Sequence, residues 1–417
     1  MSDISVQEVV THLRNQGFAD ISRRAVRRLY LAVDNRMGLR SLEFPLDPAD
    51  IAERNAAVRP RPQSEGPLDI AWICTPAIPG AGGHTTFFRM VQGMEERGHR
   101  CTILLYNRKD ESLERHRAVI KRCWPGLRAE IQPMPQRITG YDACVASSWE
   151  TAHVLAVRGS GPDGPRPYYF IQDYEPYFHP RGSLYALAED SYRLGFSHLA
   201  LGPMVAATLK HEVGVDADVI PFGSDLGTYC LKNTGARSGV VFFAKPAVER
   251  RGYDMGRLAL QAFHRLHPDQ EIHIYGTKVK GWGIPLTQHG TLPPGELNDL
   301  YNRTVTGLAL SFTNITLVAA EMLAAGNIPV LNDHQFSRAV LTNPEAVWAA
   351  ASPTALAEGL SAVVKRVDIQ ERSIRAASHR EHSWDSAQAK FAEALTGKPD
   401  ELLLMGRTPQ QGEATQS

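Results

Sequence analysis

The segment from Ser311 to Asn332 combines features that could bind a phosphate and hydroxyl groups. Its sequence, SFTNITLVAAEMLAAGNIPVLN, predicts a strand with a polar end, a helix that begins near Thr316, and a further strand after a Gly-Asn-Ile-Pro turn. The free N–H groups of a helix N-terminus attract anions, and Glu321 can accept hydrogen bonds from hydroxyl groups. A nucleotide or a nucleotide-sugar carries both kinds of group. The alternative is an ordinary β-α-β unit with a solvated glutamate.

Two cationic side chains follow another predicted strand. Lys245 and Arg251 stand six residues apart in the sequence AKPAVERRGY, which predicts a strand-to-helix loop. Such a pair can hold a diphosphate from two sides, because lysine acts as a point charge and arginine as a planar fork. Ordinary surface charge is the alternative.

A glycine-rich loop follows the first predicted strand of the main body. The sequence PGAGGHT places Gly82 and Gly83 directly before a predicted helix, with His84 after them. Paired glycines let the backbone approach a ligand closely, and the helix start can donate N–H groups. A plain strand-to-helix turn is the alternative. The pattern differs from the G-x-G-x-x-G sequence of dinucleotide enzymes, which argues against an oxidoreductase.

The sequence YYFIQDYEP, from Tyr168 to Pro176, carries polar groups at the end of an apolar strand. Gln172, Asp173 and Glu175 supply the amide and carboxylate groups that suit sugar hydroxyls, and the neighbouring aromatic rings can stack on sugar rings. An aromatic surface turn is the alternative. All four constellations fall at the carboxyl ends of predicted strands, where open α/β sheets bind ligands.

Strands and helices alternate along most of the chain, which predicts doubly wound parallel sheets. The predicted strands are Leu68–Cys74, Cys101–Tyr106, Ala143–Ser147, Tyr168–Ile171, Leu199–Leu201, Val240–Ala244, Ile272–Tyr275, Leu308–Phe312 and Ile328–Leu331. The predicted helices include Thr85–Arg97, Met255–Leu266, Gly295–Asn302, Leu356–Val367 and Ser386–Leu395. Two doubly wound domains that face each other across a cleft are therefore expected.

The expected domains follow from these elements and from changes in composition. Residues 1–60 are a helical extension with a proline-rich linker, 61–220 and 221–397 are the two α/β domains, and 398–417 are a disordered tail. The basic stretch within the extension, from Arg23 to Arg40, is either a surface helix packed on the main body or a peripheral contact with an anionic membrane.

Composition excludes several classes of protein. Hydrophobic residues make up 43% and charged residues 22% of the 417 residues, and Lys+Arg 45 balances Asp+Glu 45, so no overall charge favours nucleic acid. The cysteines lack the spacing of a zinc site or a disulfide framework; they are Cys74, Cys101, Cys123, Cys144 and Cys230. No apolar run is long enough to span a bilayer, and no signal peptide is evident. We expect a cytoplasmic protein, with the inner face of the plasma membrane as a peripheral site.

Four ordered motifs resemble the family 4 glycosyltransferases of the GT-B fold. They are Gly82-Gly83 with Arg97-Gly98-His99, the pair Lys245 and Arg251, the turn HGTLP with Glu296-Leu297 and Leu300-Tyr301, and the sequence EMLAAGNIPV that begins at Glu321. The FIQDYEP and SFTN sequences further resemble the bacterial rhamnosyltransferases that use dTDP-rhamnose for surface glycans. The resemblance covers residues 68–332.

The resemblance implies a GT-B fold and transfer of a sugar, rhamnose or another deoxyhexose, from a nucleotide-diphosphate donor to a hydroxyl of a growing cell-surface glycan. It implies retention of anomeric configuration. No DxD-type pair of acids that could hold Mg²⁺ stands at a predicted strand end, so we expect no metal and no other cofactor. The donor would be dTDP- or UDP-linked, and the acceptor a glycan or a lipid-linked glycan. Two readings from other classes are a catalytically silent nucleotide-sugar-binding protein and a GT-B epimerase.

The site residues take the following expected roles. Donor contacts are expected from Gly82, Gly83, Lys245, Arg251, Thr291, Leu292, Thr313, Asn314, Ile315, Thr316, Leu317 and Glu321. Lys245 and Arg251 would stabilise the leaving diphosphate, Glu321 would hold the ribose, and the backbone at Thr291-Leu292 would read the base. Acceptor contacts are expected from His84, Gln172, Asp173 and Glu175, with Asp173 as the best candidate for a general base.

One position departs from the family pattern. The family has two glutamates separated by seven residues, and Thr313 stands at the position of the first. By resemblance, the missing glutamate contacts the donor sugar. Its absence fits a deoxy or otherwise altered sugar.

Overall fold

The chain divides into two compact units, Met1–Ile51 and Ala52–Ser417. The computed structural model describes residues 44–53, 66–108, 112–225, 227–315, 317–379 and 382–398. In the first unit, the described residues form a 3-10 turn at Pro48–Asp50, which begins where Asp47 Oδ1 accepts a hydrogen bond from the Ala49 N–H at 3.0 Å. The predicted basic helix, Arg23–Arg40, and the predicted tail beyond Lys398 lie outside the described residues.

Seven parallel strands form the first sheet of the second unit, in the order β3-β2-β1-β4-β5-β6-β7. They are β1 (Asp69–Cys74), β2 (Arg100–Leu105), β3 (Glu130–Pro133), β4 (Ala143–Ala146), β5 (Arg166–Ile171), β6 (Ser197–Leu201) and β7 (Asp218–Ile220). Strand β1 pairs with β2 on one side and with β4 on the other, so the order of the connections reverses beside β1. This reversal opens a crevice at the carboxyl ends of β1 and β4.

Six parallel strands form the second sheet, in the order β10-β9-β8-β11-β12-β13. They are β8 (Val240–Ala244), β9 (Ile272–Gly276), β10 (Thr287–Gly290), β11 (Thr306–Leu308), β12 (Ile328–Asn332) and β13 (Val347–Ala349). Here the order reverses between β8 and β11, which pair directly. The loops that follow these two strands therefore face the same crevice.

Helices make most of the connections between the strands. We call the part of the second unit that carries strands β1–β7 its first half and the part from β8 onward its second half. The connecting helices of the first half are α1 (Gly82–Glu96), α2 (Leu113–Cys123), α3 (Trp149–Arg158), α4 (Ser183–Ser191) and α5 (Pro203–Val213). The later connecting helices are α6 (Tyr253–Leu266), α7 (Pro294–Arg303) and α8 (Leu317–Ala324). Helices α9 (Pro353–Val364), α10 (Ile369–Ser378) and α11 (Trp384–Thr396) follow the last strand. No helix among the described residues is both long and apolar enough to cross a membrane.

The strands bury most of their side chains, as parallel strands covered on both faces do. In β1, all residues after Asp69 are buried, and every residue of β12 is buried. The buried side chains form two hydrophobic cores, one around each sheet. This arrangement explains why short apolar runs predict these strands without the alternation of half-exposed strands.

Helix α11 packs on the first sheet although it follows the second sheet in the sequence. Phe391 is fully buried, stacks on Trp72 with ring centres 5.5 Å apart, and meets Phe170 edge to face at 5.2 Å. The Tyr168 hydroxyl donates a hydrogen bond to the Leu395 carbonyl at 3.0 Å. The sequence places this helix in the second domain because of its position along the chain. The domain boundaries themselves stay a prediction.

The predicted strand Leu308–Phe312 is corrected to β11, which ends at Leu308. Side-chain hydrogen bonds replace the strand ladder beyond it. The Ser311 N–H donates to Asn332 Oδ1 at 2.9 Å, and Asn332 Nδ2 donates to the Ser311 carbonyl at 2.7 Å. These bonds hold Ser311 to the end of β12, and the residues that follow it contact the first sheet.

Candidate functional site

The carboxyl end of β1 leads into the loop that carries the paired glycines. Helix α1 begins at Gly82 without a side-chain cap, and both Gly82 and Gly83 are exposed. The Gly83 carbonyl accepts a hydrogen bond from Gln172 Nε2 at 3.1 Å. Burial lowers the pKa of His84, although a hydrogen bond to the Thr75 backbone opposes the shift. The structure therefore joins this loop to the end of β5 and leaves the first N–H groups of α1 accessible.

Asp173 lies at the carboxyl end of β5 and is 7% exposed. Its Oδ2 atom accepts a hydrogen bond from the Thr313 hydroxyl at 3.0 Å, although the two residues are 140 positions apart. Its Oδ1 atom is buried and has no hydrogen-bond partner within the described residues. The carboxyl group thus faces the second half of the unit.

The segment after Ser311 contacts the ends of two strands of the first sheet. Asn314 Nδ2 donates to the Gln172 carbonyl at 2.9 Å and to the Leu201 carbonyl at 3.2 Å. Thr313 and Asn314 are both buried. Four residues that the sequence predicts separately, Gln172, Asp173, Thr313 and Asn314, are therefore brought together.

Three cationic side chains form a cluster after β8, and we call Lys245, Arg250 and Arg251 the cation cluster. Burial lowers the pKa of Lys245, and the charges of Arg251 and Arg250 lower it further. Arg251 Nη1 donates to Ser311 Oγ at 2.8 Å and to the Asn314 carbonyl at 3.3 Å. The two strands beside the reversal in the second sheet thus supply the cations and the polar segment.

Arg250 is a site residue that the sequence reasoning missed. Its Nε atom lies 3.8 Å from Asp173 Oδ2, and its guanidinium group lies over the Phe178 ring at 4.0 Å from the ring centre. Gly252 follows the cluster with a φ of 64°, and a Cβ there would lie 2.9 Å from the Phe312 ring. A glycine is needed here both for the backbone and for space.

Opposing effects act on the carboxyl group of Asp173. Burial raises its pKa, whereas the charges of Arg251 and Arg250 lower it. The Thr313 hydroxyl and the Asn314 backbone N–H lower it as well. Burial prevails, so the pKa stays above its ordinary value. The favourable charges and hydrogen bonds around Asp173 therefore do not fully offset the cost of removing its ionised carboxylate from water.

Glu321 lies in α8, in a second group of charged residues. Burial and, to a smaller extent, the charge of Asp225 raise its pKa to about 7, although the charge of Arg89 opposes the shift. Arg89 Nη2 lies 3.7 Å from Asp225 Oδ2. Arg89 and Asp225 were not predicted from the sequence, because they come close to Glu321 only through the fold.

Glu175 takes a structural position in the first half. Its Oε2 atom accepts hydrogen bonds from the Trp149 N–H at 2.5 Å and from the Tyr169 hydroxyl at 3.2 Å. Burial raises its pKa, and the neighbouring charge of Glu150 raises it further. The carboxyl group thus binds the first turn of α3, and its predicted acceptor contact stays a prediction.

The remaining predicted donor residues occupy varied positions. Thr291 is exposed just after β10, and Leu292 packs partly on the second core. Ile315 is buried, and Leu317 begins α8 and packs partly on the first core. Thr316 lies outside the described residues. Across the described part of the chain, no group of three or more His, Cys, Asp or Glu side chains could hold a metal ion.

Comparisons with known proteins agree with this architecture. Residues 238–361 match the family model described as WsaF, C-terminal domain. Over 301 residues the chain is 30% identical to the O-antigen biosynthesis protein RfbC of Myxococcus xanthus, a match that covers 68% of this chain and 23% of RfbC. The chain thus spans about a quarter of the length of that relative.

Solved structures identify the fold. Alr3699/HepE of Anabaena, in complex with UDP and glucose, matches with a TM-score of 0.61 and 14% identity, over 79% of this chain and 100% of that chain. WaaG, a glycosyltransferase involved in lipopolysaccharide biosynthesis, matches with a TM-score of 0.58 and 14% identity, over 79% and 100% of the two chains. The chain has the GT-B fold. The predicted fold class is therefore confirmed.

Proposed function

We propose that the protein is a glycosyltransferase that takes its sugar from a nucleotide-diphosphate donor. The observation that carries the proposal is the cation cluster of Lys245, Arg250 and Arg251, beside the reversal of strand order in the second sheet. This is the place where open α/β sheets bind ligands. A site that gathers three cations and partly buries them is suited to an anion with several charges.

The diphosphate of the donor would lie against the cation cluster. Arg251 is held by Ser311 and by the Asn314 carbonyl, so its orientation is fixed before a ligand binds. The N–H groups at the start of α8 add a partial positive charge. As the glycosidic bond breaks, negative charge grows on the diphosphate, and cations already in position stabilise it without a resident metal.

The rest of the donor would extend over the second sheet. Glu321 would accept hydrogen bonds from the ribose, and the backbone at Thr291-Leu292 would read the base. The structures of Alr3699/HepE with UDP and with UDP-glucose support a nucleotide-sugar as the ligand class. A dTDP- or UDP-linked donor is proposed accordingly.

The proposed sugar is rhamnose or another deoxyhexose, transferred with retention to a cell-surface glycan. Thr313 supports this choice, because a short hydroxyl side chain stands where the family has a glutamate. The similarity to the O-antigen biosynthesis protein RfbC and to WaaG supports an envelope glycan as the acceptor. We place the protein in the cytoplasm, at the inner face of the membrane where a lipid-linked acceptor would lie.

Replacing the cations tests the proposal. Lys245→Ala and Arg251→Ala should each lower turnover by about 10²-fold, because each removes charge stabilisation that grows in the transition state. Transfer and nucleotide release would be measured with UDP- and dTDP-sugars.

Two substitutions of exposed cations in the same half, Lys280→Ala and Arg265→Ala, serve as matched controls. They should leave turnover near that of the unchanged protein. Near-normal turnover of both cluster variants would rule out the proposed role of the cluster.

A further inference from the structure

The carboxyl group of Asp173 lies where the proposed function requires an anion. Arg250 Nε is 3.8 Å from its Oδ2 atom, and Thr313 Oγ1 is 3.0 Å from the same atom. Burial raises the pKa of this carboxyl group, but the charges of Arg251 and Arg250 and the backbone N–H of Asn314 lower it and so favour the ionised carboxylate. Two members of the cation cluster, Arg250 and Arg251, therefore already interact with a carboxylate of the protein itself.

A carboxylate and a diphosphate cannot both occupy this position at low cost. Like charges at contact distance repel strongly in a site from which water is largely excluded, and Asp173 is 7% exposed. A diphosphate carries more charge and more acceptor oxygens than one carboxylate. It is therefore the better partner for the cation cluster.

We infer that Asp173 is an internal anion that occupies part of the donor site in the absence of a nucleotide, and that the donor diphosphate displaces it. This inference rests on the proposed diphosphate site. The carboxylate is held on the first half of the unit, whereas its partners Arg250, Arg251 and Thr313 belong to the second. Binding of the diphosphate thus breaks contacts between the two halves, and its departure restores them.

The displaced state has a consequence for affinity. When only a fraction of the protein molecules are in the state that can bind a ligand, the apparent affinity is reduced in proportion to that fraction. The carboxylate of Asp173 therefore weakens nucleotide binding, and it favours release of the nucleotide after transfer. After displacement the carboxyl group is free to meet the acceptor, as the sequence predicts for it.

Neutralising this carboxylate tests the inference. Asp173→Asn keeps the shape of the side chain and removes its charge, so it should bind inorganic pyrophosphate, UDP and dTDP about fivefold or more tightly than the unchanged protein. Titration calorimetry would measure the dissociation constants. A residue that only supports the fold would not increase affinity when replaced.

Three further variants separate the charge of Asp173 from its other contacts. Thr313→Val removes the hydroxyl partner of Asp173 and should also increase affinity, by less; it reports on the inference even if the asparagine variant fails to fold. Asp163→Asn neutralises an exposed acid of the first half and should leave affinity unchanged. Phe178→Leu removes the ring beneath Arg250 but keeps the carboxylate, so it should bring no gain.

The outcomes separate the inference from the proposed function. If the Asp173→Asn and Thr313→Val variants bind diphosphate no more tightly than the unchanged protein, the inference is overturned, but the proposed donor site is not contradicted. A gain in Phe178→Leu equal to that in Asp173→Asn would also overturn it, because looser contact between the halves would then suffice. If none of the proteins binds any diphosphate, the proposed function fails together with the inference.

Discussion

Glu321 is a carboxyl group whose pKa lies near neutral pH. Its pKa is raised to about 7 by burial and by Asp225. Because the pKa in the folded protein exceeds the ordinary value of about 4.5, this group favours folding below about pH 4.5. That contribution is lost as the pH rises toward about 7 and the carboxyl group ionises inside the protein.

The same shift predicts a pH dependence of donor binding. In the proposed site an ionised Glu321 would accept hydrogen bonds from the hydroxyl groups of the ribose, or of the deoxyribose of dTDP, whereas a protonated one would lose part of this capacity. Affinity for UDP or dTDP should therefore fall by up to about tenfold from pH 8 to pH 6, as the ionised fraction falls. Calorimetry at fixed ionic strength would measure it.

Glu321→Gln is the control for this dependence. The phosphate of the ligand also titrates near pH 6, and it does so equally in both proteins, so the difference between their profiles belongs to Glu321. The glutamine variant should bind UDP and dTDP weakly at every pH, and its affinity should not show the part of the decrease from pH 8 to pH 6 that is due to Glu321. Profiles of the same shape in both proteins would show that Glu321 does not hold the ribose.

At this scale the sequence predicts the residues at strand ends but not all of their partners. Lys245, Arg251, Asp173 and Asn314 follow apolar runs, and a general rule for parallel sheets places such residues at a ligand crevice. In the sequence alone, Arg250 cannot be distinguished from an ordinary charged residue of a surface loop. Its pairing with Asp173 depends on how the two halves meet, which no local pattern encodes.

At the scale of elements, Asn332 replaces the end of a strand ladder. It is fully buried, and its side chain satisfies both the N–H and the carbonyl of Ser311. Asn332→Ala would leave both backbone groups buried without a partner, which costs about 2–4 kcal/mol. Denaturant unfolding should show this loss in the free energy of unfolding.

Gln335→Ala, an exposed substitution shortly after β12, is the control and should stay within about 0.5 kcal/mol of the unchanged protein. The Asn332→Ala variant should also bind nucleotide more weakly, because Ser311 and Asn314 hold Arg251. A variant as stable as the control would show that the strand end is held by other contacts.

Element prediction succeeds where an apolar run is long enough. Strand β8 has the predicted bounds, Val240–Ala244, and β1 differs from its prediction by one residue. Strands β3, β7, β10 and β13 have only three or four residues each and were not predicted, because so short a segment shows no periodicity. Helix α8 begins within one residue of the predicted start, at Leu317.

At the scale of the whole molecule, a bound nucleotide should stabilise the folded protein. A ligand at 100 times its dissociation constant adds about 2.7 kcal/mol, which thermal unfolding detects readily. We expect dTDP and UDP to raise the unfolding temperature more than GDP does. Inorganic phosphate at the same concentration is the control for general anion effects.

An equal shift for all three nucleotides would contradict base reading at Thr291-Leu292. The absence of any shift, with or without the sugar attached, would contradict the donor site. The Lys245→Ala variant should lose most of the shift, because in the proposed site the cation cluster supplies the charge that would hold the diphosphate.

The number and kind of the sheets could be predicted, because alternating strands and helices favour only a few topologies. The position of α11 could not. Its apolar face fits either sheet by pattern alone, and only the fit of Phe391 between Trp72 and Phe170 decides between them.

That return of α11 sets the order in which the molecule can be completed during its synthesis. Strand β1 is synthesised before α11, so the face of Trp72 that Phe391 covers stays open until residues 384–396 have been made. The first hydrophobic core therefore lacks the side chains of α11 until the end of the second half has been made, although domains generally fold as units during synthesis. The nascent chain therefore exposes an apolar surface while the residues of the second sheet are synthesised. During this period chaperones can bind that surface.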